Sequence, residues 1–133
     1  MEINNLHDLI NVVKDTAKSF QTEVWWRGQV ENWPLFSGIH RPDFCTIEKQ
    51  TQCEKDLTIR FLHGARTRHS HLPEGDYPLQ LAMMQHYRLP TRLLDWTESP
   101  LIALFFAVQN HDDKPGVLWA LSPSALNHIS SNV

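Results

Sequence analysis

Apolar residues recur along the chain in blocks whose spacing predicts helices flanking two short strands. Asn4 or Asn5 is placed to cap a first helix, expected over 5–18, because Leu6, Leu9, Ile10, Val13 and Ala17 follow at helical spacing. Thr22 to Gly28 carries Val24, Trp25 and Trp26, which favour a pleated, half-buried strand, and Gly28 is expected to end or bend it. Pro34, Gly38 and Pro42 break the stretch from Gln29 to Asp43 into an irregular excursion. Thr46 to Arg68 reads as the longest helix, with Leu57, Phe61, Leu62 and Ala65 on one side. His69 to Pro78 is a loop, and Leu79 to Tyr87 a short helix that stops before Leu89-Pro90, since the residue preceding proline disfavours helical geometry. Ser99-Pro100 is a helix start, serine as cap and proline at the first helical position. Leu101 to Asn110 offers apolar residues on every face, so it is expected to be the central, almost wholly buried helix. Asp112 to Gly116 is a turn, Val117 to Leu121 a strand, and Ser122 to Ile129 a last helical turn that again opens on Ser-Pro.

This pattern predicts an α+β fold: a single compact domain over 1–133, with a small mixed or antiparallel sheet and several helices. Two strands alone bury too little to be stable. Either further short strands lie in Gln29–Asp43, or the chain is the N-terminal part of a longer domain.

Composition narrows the function. Five tryptophans and six phenylalanines in 133 residues can anchor a small core or line a cleft. A net charge of −3 makes general nucleic-acid binding unlike this chain, although it leaves room for a local basic site. Arg60, Arg66 and Arg68, near His63, His69 and His71, form either such a site or a solvated helix face. The three histidines lack a completing ligand at familiar spacing, so no metal site is expected. Cys45 and Cys53 are the only cysteines and read as unremarkable thiols, which points to a cytoplasmic protein. Leu101 to Val108, the longest apolar stretch, is far short of a membrane span.

Candidate chemistry concentrates in Gln85 to Thr97. Polar Gln85, His86, Thr91, Arg92, Asp95 and Thr97 alternate there with Leu93, Leu94 and Trp96, so some of the polar groups must be partly enclosed. Enclosed charges need partners. One reading is structural: Arg92 is mostly buried and paired with Asp95 or another carboxylate, fastening the loop to the core. The other is functional. Arg27, Arg41 and Arg92 grip an anionic ligand through their planar forks, with Gln29, Gln85 and Thr97 as further binding groups. His86 and Asp95 are then the candidate catalytic residues, and Glu54 on the long helix is the next carboxylate in line.

Three segments resemble the FRG domain. They are Trp26-Arg27-Gly28-Gln29, followed by Trp33; Ile39-His40-Arg41; and Gln85-His86-Tyr87-Arg88-Leu89-Pro90-Thr91-Arg92-Leu93-Leu94-Asp95-Trp96-Thr97, continued by Ser99-Pro100-Leu101 and Ala103 to Ala107. The resemblance covers 25–121. The family typically reads QHYGLPTRLLDWT in the third segment, so Arg88 replaces its glycine and implies a less tight turn before Pro90. It also implies a bacterial or phage protein. A weaker, fold-level likeness to the front half of ADP-ribosyltransferases implies that Arg27 holds the pyrophosphate or ribose of NAD, with Thr97 and Ser99 as supporting polar groups. On that likeness NAD would be a substrate, not a resident cofactor, in a toxin-like activity of phage defence. The alternative is a non-catalytic module that recognises a nucleotide, another anion or a protein partner through the same residues.

Overall fold

The computed structural model describes residues 2–41, 44, 46, 49–68, 75–109 and 114–131. It has five helices and a two-stranded antiparallel sheet among these, an α+β fold. The chain divides into two compact units, Met1–Trp33 with Asp95–Val133, and Pro34–Leu94.

The first unit holds α1 (Leu6–Phe20), β1 (Trp25–Gln29), α4 (Pro100–Val108), β2 (Val117–Leu121) and α5 (Pro123–Ser130). Its helix starts are capped as the sequence predicts: Asn5, Ser99 and Ser122 each accept a backbone N–H from the first turn that follows. β1 and β2 pair antiparallel in register from Trp25↔Leu121 to Gln29↔Val117. Directly opposed residues share a face. Trp25, Arg27 and Gln29 therefore lie with Leu121, Trp119 and Val117 on one face, and Trp26 and Gly28 with Ala120 and Leu118 on the other.

Helix α4 packs on β1 at the second face, and glycines set how closely. A Cβ on Gly28 would stand 1.8 Å from the Ala103 carbonyl oxygen and 2.7 Å from the Ala107 nitrogen. One on Gly116, just before β2, would stand 2.3 Å from the Ala107 carbonyl oxygen. Gly28, expected to end or bend the strand, does not end it, since β1 runs on to Gln29. It sits inside β1 because only a residue without a side chain lets the strand touch the helix backbone. The additional pairing the sequence calls for comes not from the described part of Gln29–Asp43 but from Thr97, whose N–H and C=O both bond to Trp26 on the free edge of β1.

The burial expected of α4 is corrected. Only Ala103 and Ala107 are buried, while Leu101, Ile102, Phe105, Phe106 and Val108 are exposed. A two-stranded sheet offers a single layer to lean on, which covers the small-residue stripe and little else. Phe105 is 60% exposed, so Phe105→Ala should cost less than about 1 kcal/mol in a denaturant titration, far below the roughly 3–5 kcal/mol of a core phenylalanine.

The second unit holds a 3-10 turn (Gly38–His40), α2 (Gln50–Arg66) and α3 (Tyr77–His86). Helix α2 is shorter than the Thr46–Arg68 of the sequence reading, and α3 starts earlier, because Asp76 caps it. Ile39, Ala65, Leu81 and Met84 form its apolar core. Cys53 is disulfide-bonded, which corrects its reading as an unremarkable thiol; Cys45, His69 and His71 lie outside the described residues. No helix is long and apolar enough to cross a membrane, and no group of three potential metal ligands occurs among the described residues.

Candidate functional site

The candidate residues fall into two sets. Arg27, Gln29, Asp95 and Thr97 belong to the first unit, and Arg41, Gln85, His86 and Arg92 to the second.

In the first set, strand alternation puts Arg27 on the sheet face away from α4, directly opposite Trp119. Its Nη1 donates to the Asp95 carbonyl oxygen at 2.7 Å. Asp95 therefore positions the arginine through its main chain, while its carboxylate belongs to an exposed residue. The buried Trp119 Nε1 has no hydrogen-bond partner among the described residues. Gln29 is buried and donates to the Trp33 carbonyl oxygen at 2.9 Å, which ties the end of β1 to the following loop. Thr97 bonds to β1 through its backbone and accepts the Ser99 N–H at 3.1 Å through its hydroxyl, leading the chain into α4. A cavity of about 800 Å³ also lies in this unit, on the α4 side, with Trp26, Leu104, Ala107 and Leu118 in its wall. None of the four candidates lines it.

In the second set, the turn after α3 is built by hydrogen bonds that name its sequence. Leu89 N–H reaches the Met84 carbonyl and Arg88 N–H the Gln85 carbonyl, the paired bonds of a Schellman motif. That motif puts the residue after the cap in the left-handed region, and Arg88 has φ of 62°. The turn is thus as tight as with glycine, contrary to the looser turn implied by the substitution, and the arginine bears the strain. Arg88→Gly should raise stability by up to about 1 kcal/mol, read as a higher urea midpoint.

Pro90 then packs against Gly38, and buried Thr91 fastens the loop. Thr91 Oγ1 donates to Gln85 Oε1 at 2.6 Å and accepts the Leu93 N–H at 3.2 Å, and its carbonyl accepts the Ile39 N–H at 3.2 Å. Arg92 Nε lies 2.9 and 3.0 Å from the two carboxylate oxygens of Glu54, and its Nη2 also donates to Glu54 Oε2. The carboxylate is the enclosed partner. The Glu54 side chain is 4% exposed and that of Arg92 51%, so the expected burial of Arg92 is corrected. A half-exposed arginine thus brings its guanidinium to a buried carboxylate. The hydrogen bonds from Arg92 hold the Glu54 carboxyl below the usual carboxylate range, against the opposing pull of burial, and the same bonds push the guanidinium up. Arg41 ends the 3-10 turn, exposed. His86 is exposed at the last position of α3, edge-on to Tyr87 at 5.4 Å.

Gln85 and Arg92 thus act as fasteners of the motif's own fold. Glu54 lies 38 positions from Arg92, and no short-range sequence signal pairs the two. Compared with known proteins, the chain matches no curated protein and no solved structure. The model of the FRG domain matches residues 22–115, the span that holds the Trp-Arg-Gly strand, the Schellman turn with its Glu54–Arg92 clasp and the whole of α4, and the chain belongs to the FRG domain family.

Proposed function

We propose that this FRG domain is a recognition module for an anionic, nucleotide-like ligand, held in the first unit by Arg27 with Trp25 and Trp119 beside it. The observation that carries this reading is the cross-strand pair of Arg27 and Trp119. It sets a planar cationic fork beside an indole whose buried N–H has no acceptor among the described residues. A phosphate or carboxylate matches the fork with two parallel hydrogen bonds, and a base or nicotinamide ring stacks on an exposed tryptophan face. Trp25 is 37% exposed and offers such a face.

Recognition is favoured over catalysis because Asp95, the carboxylate of the motif, is an exposed residue that meets Arg27 through its main-chain carbonyl, an arrangement that positions the arginine. NAD-dependent ADP-ribosyl transfer or NAD cleavage, with His86 and Asp95 as the reacting groups, is the competing chemistry. It would make the protein a toxin-like agent of phage defence in a bacterial cytoplasm.

One experiment separates them. Thermal shift with NAD, ADP-ribose, ATP and short oligonucleotides should find a ligand that stabilises by about 2.7 kcal/mol at 100 times its dissociation constant. Arg27→Lys keeps the charge but removes the fork, and should weaken that ligand about tenfold or more. Nicotinamide released from NAD in step with enzyme concentration would replace the recognition reading with the enzymatic one.

A further inference from the structure

The second unit carries a groove that no residue of the two candidate sets touches. It encloses about 400 Å³ and is lined by Arg60, Phe61, Gly64 and Arg68 of α2 and the turn after it, and by Tyr87 and Leu89 of the Schellman turn. That volume lies in the range of pockets that hold one small organic ligand.

Three observations point the same way. The first is charge. Among the described residues the side chains of Arg60 and Arg68 have no hydrogen bond or ion pair, whereas that of Arg92 is held by Glu54. Two unpaired cations beside one groove, on a chain of net charge −3, make a local attraction for an anion against a repulsive background. The second is the wall between them. Phe61 and Tyr87 are tilted rings 5.9 Å apart, with Tyr87 48% exposed, so an aromatic face is open to stacking. The third is Gly64, at i+4 from Arg60 and i−4 from Arg68. A glycine inside a helix is destabilising, and packing does not explain this one, since a Cβ there would meet nothing within 4 Å. The space it leaves open is the groove itself.

We infer that this groove is a second binding site, for a nucleoside phosphate whose base stacks on Tyr87 while Arg60 and Arg68 take the phosphate. The source is either a free mononucleotide or the phosphorylated end of a strand. The site does not depend on Arg27. It also gives the motif's fasteners a purpose, because the clasped turn is what presents Tyr87 and Leu89 to α2.

The test is calorimetry on the full chain with AMP, adenosine, inorganic phosphate and a 5′-phosphorylated tetranucleotide. AMP should bind, with adenosine and phosphate each at least about tenfold weaker, because two contacts are then split. Binding should weaken only shallowly with salt, by a slope near that of one or two phosphate contacts, whereas a nucleic-acid track shows many. A tetranucleotide tighter than AMP identifies a strand end as the source, and equal affinity a mononucleotide. Gly64→Leu supplies the control for folding. It should melt no lower than the parent, since it removes a helix-interior glycine, yet bind AMP at least about tenfold more weakly. Measured in an Arg27→Lys background, so that a nucleotide held in the first unit does not contribute, Arg60→Gln with Arg68→Gln should bring AMP down to the level of adenosine. The assignment is overturned if AMP fails to bind at millimolar concentration, if Gly64→Leu and the double variant bind it like the parent, or if O-phosphotyrosine binds the groove more tightly than AMP.

Discussion

Gly28→Ala is expected to lose about 3–5 kcal/mol, a large share of what holds a domain of this size together. The added methyl group would stand 1.8 Å from the Ala103 carbonyl oxygen, well inside any van der Waals contact. Ordinary overpacking costs about 1–3 kcal/mol because side chains turn aside, but here the obstructing atoms are helix backbone and have no rotamer to adopt. Either α4 moves off the sheet or the β1–β2 ladder breaks, and either exposes Trp26, which is 3% exposed. Urea titration should show a lower midpoint, and tryptophan fluorescence should shift toward that of solvated indole. Ala103→Gly in the same chain should not rescue it, since the clash is with main chain. Gly64→Ala provides the opposite sign, a gain of about 0.5–1 kcal/mol, because that glycine faces open space. A Gly28→Ala protein with the parental midpoint would mean that strand and helix lie further apart than the structure has them.

What the sequence makes legible follows from which forces are local. Val117–Leu121 is a strand over the expected residues, and Asn5, Ser99 and Ser122 are caps, because capping and strand propensity act over a few residues. The glycine of Trp-Arg-Gly is visible, but its reason is not, since the strand it serves meets a helix 75 positions later at Ala103. Helix α4 shows the limit of periodicity most clearly. Apolar residues on every face read as a buried core helix, yet burial needs a second layer, and only Ala103 and Ala107 find one. Among the candidate site residues, Arg27 and Arg92 are recognisable as special, while their partners, the Asp95 carbonyl and Glu54, are set by tertiary placement. The Arg88 substitution is a case where local chemistry misleads: the flanking Leu89–Met84 and Arg88–Gln85 bonds hold the tight turn despite the side chain.

Arg92→Ala should destabilise the protein by about 2–3 kcal/mol at neutral pH, more than Glu54→Gln, although Arg92 is the exposed partner. The asymmetry comes from what each change leaves behind. Without its carboxylate, Arg92 can turn its fork into water; without the guanidinium, Glu54 stays as a charge enclosed beside Tyr77 and His40. The estimate lies below the roughly 3–5 kcal/mol of a fully buried pair because solvent screens the half-exposed guanidinium. The pH dependence carries the sharper test. In the parent, Arg92 depresses the folded-state Glu54 pKa below its usual 4.5. The folded state therefore holds this proton less readily than the unfolded chain. The pair's contribution is fully present above the unfolded value and is lost as pH falls through the folded one. In Arg92→Ala the largest lowering influence is gone while burial still raises, so the Glu54 pKa climbs from its depressed value and protonating the carboxyl costs the folded state less than in the parent. The gap between parent and variant should accordingly shrink from about 2–3 kcal/mol at pH 7 to under about 1 kcal/mol once the pH has fallen below the parent's depressed folded-state pKa and the carboxyl is neutral in both. Denaturant titrations at four or five pH values measure it directly. A penalty that stays constant over that range would show that Arg92 stabilises through contacts such as the approach of its guanidinium carbon to the Tyr77 ring at 6.0 Å, and not through the charge of Glu54.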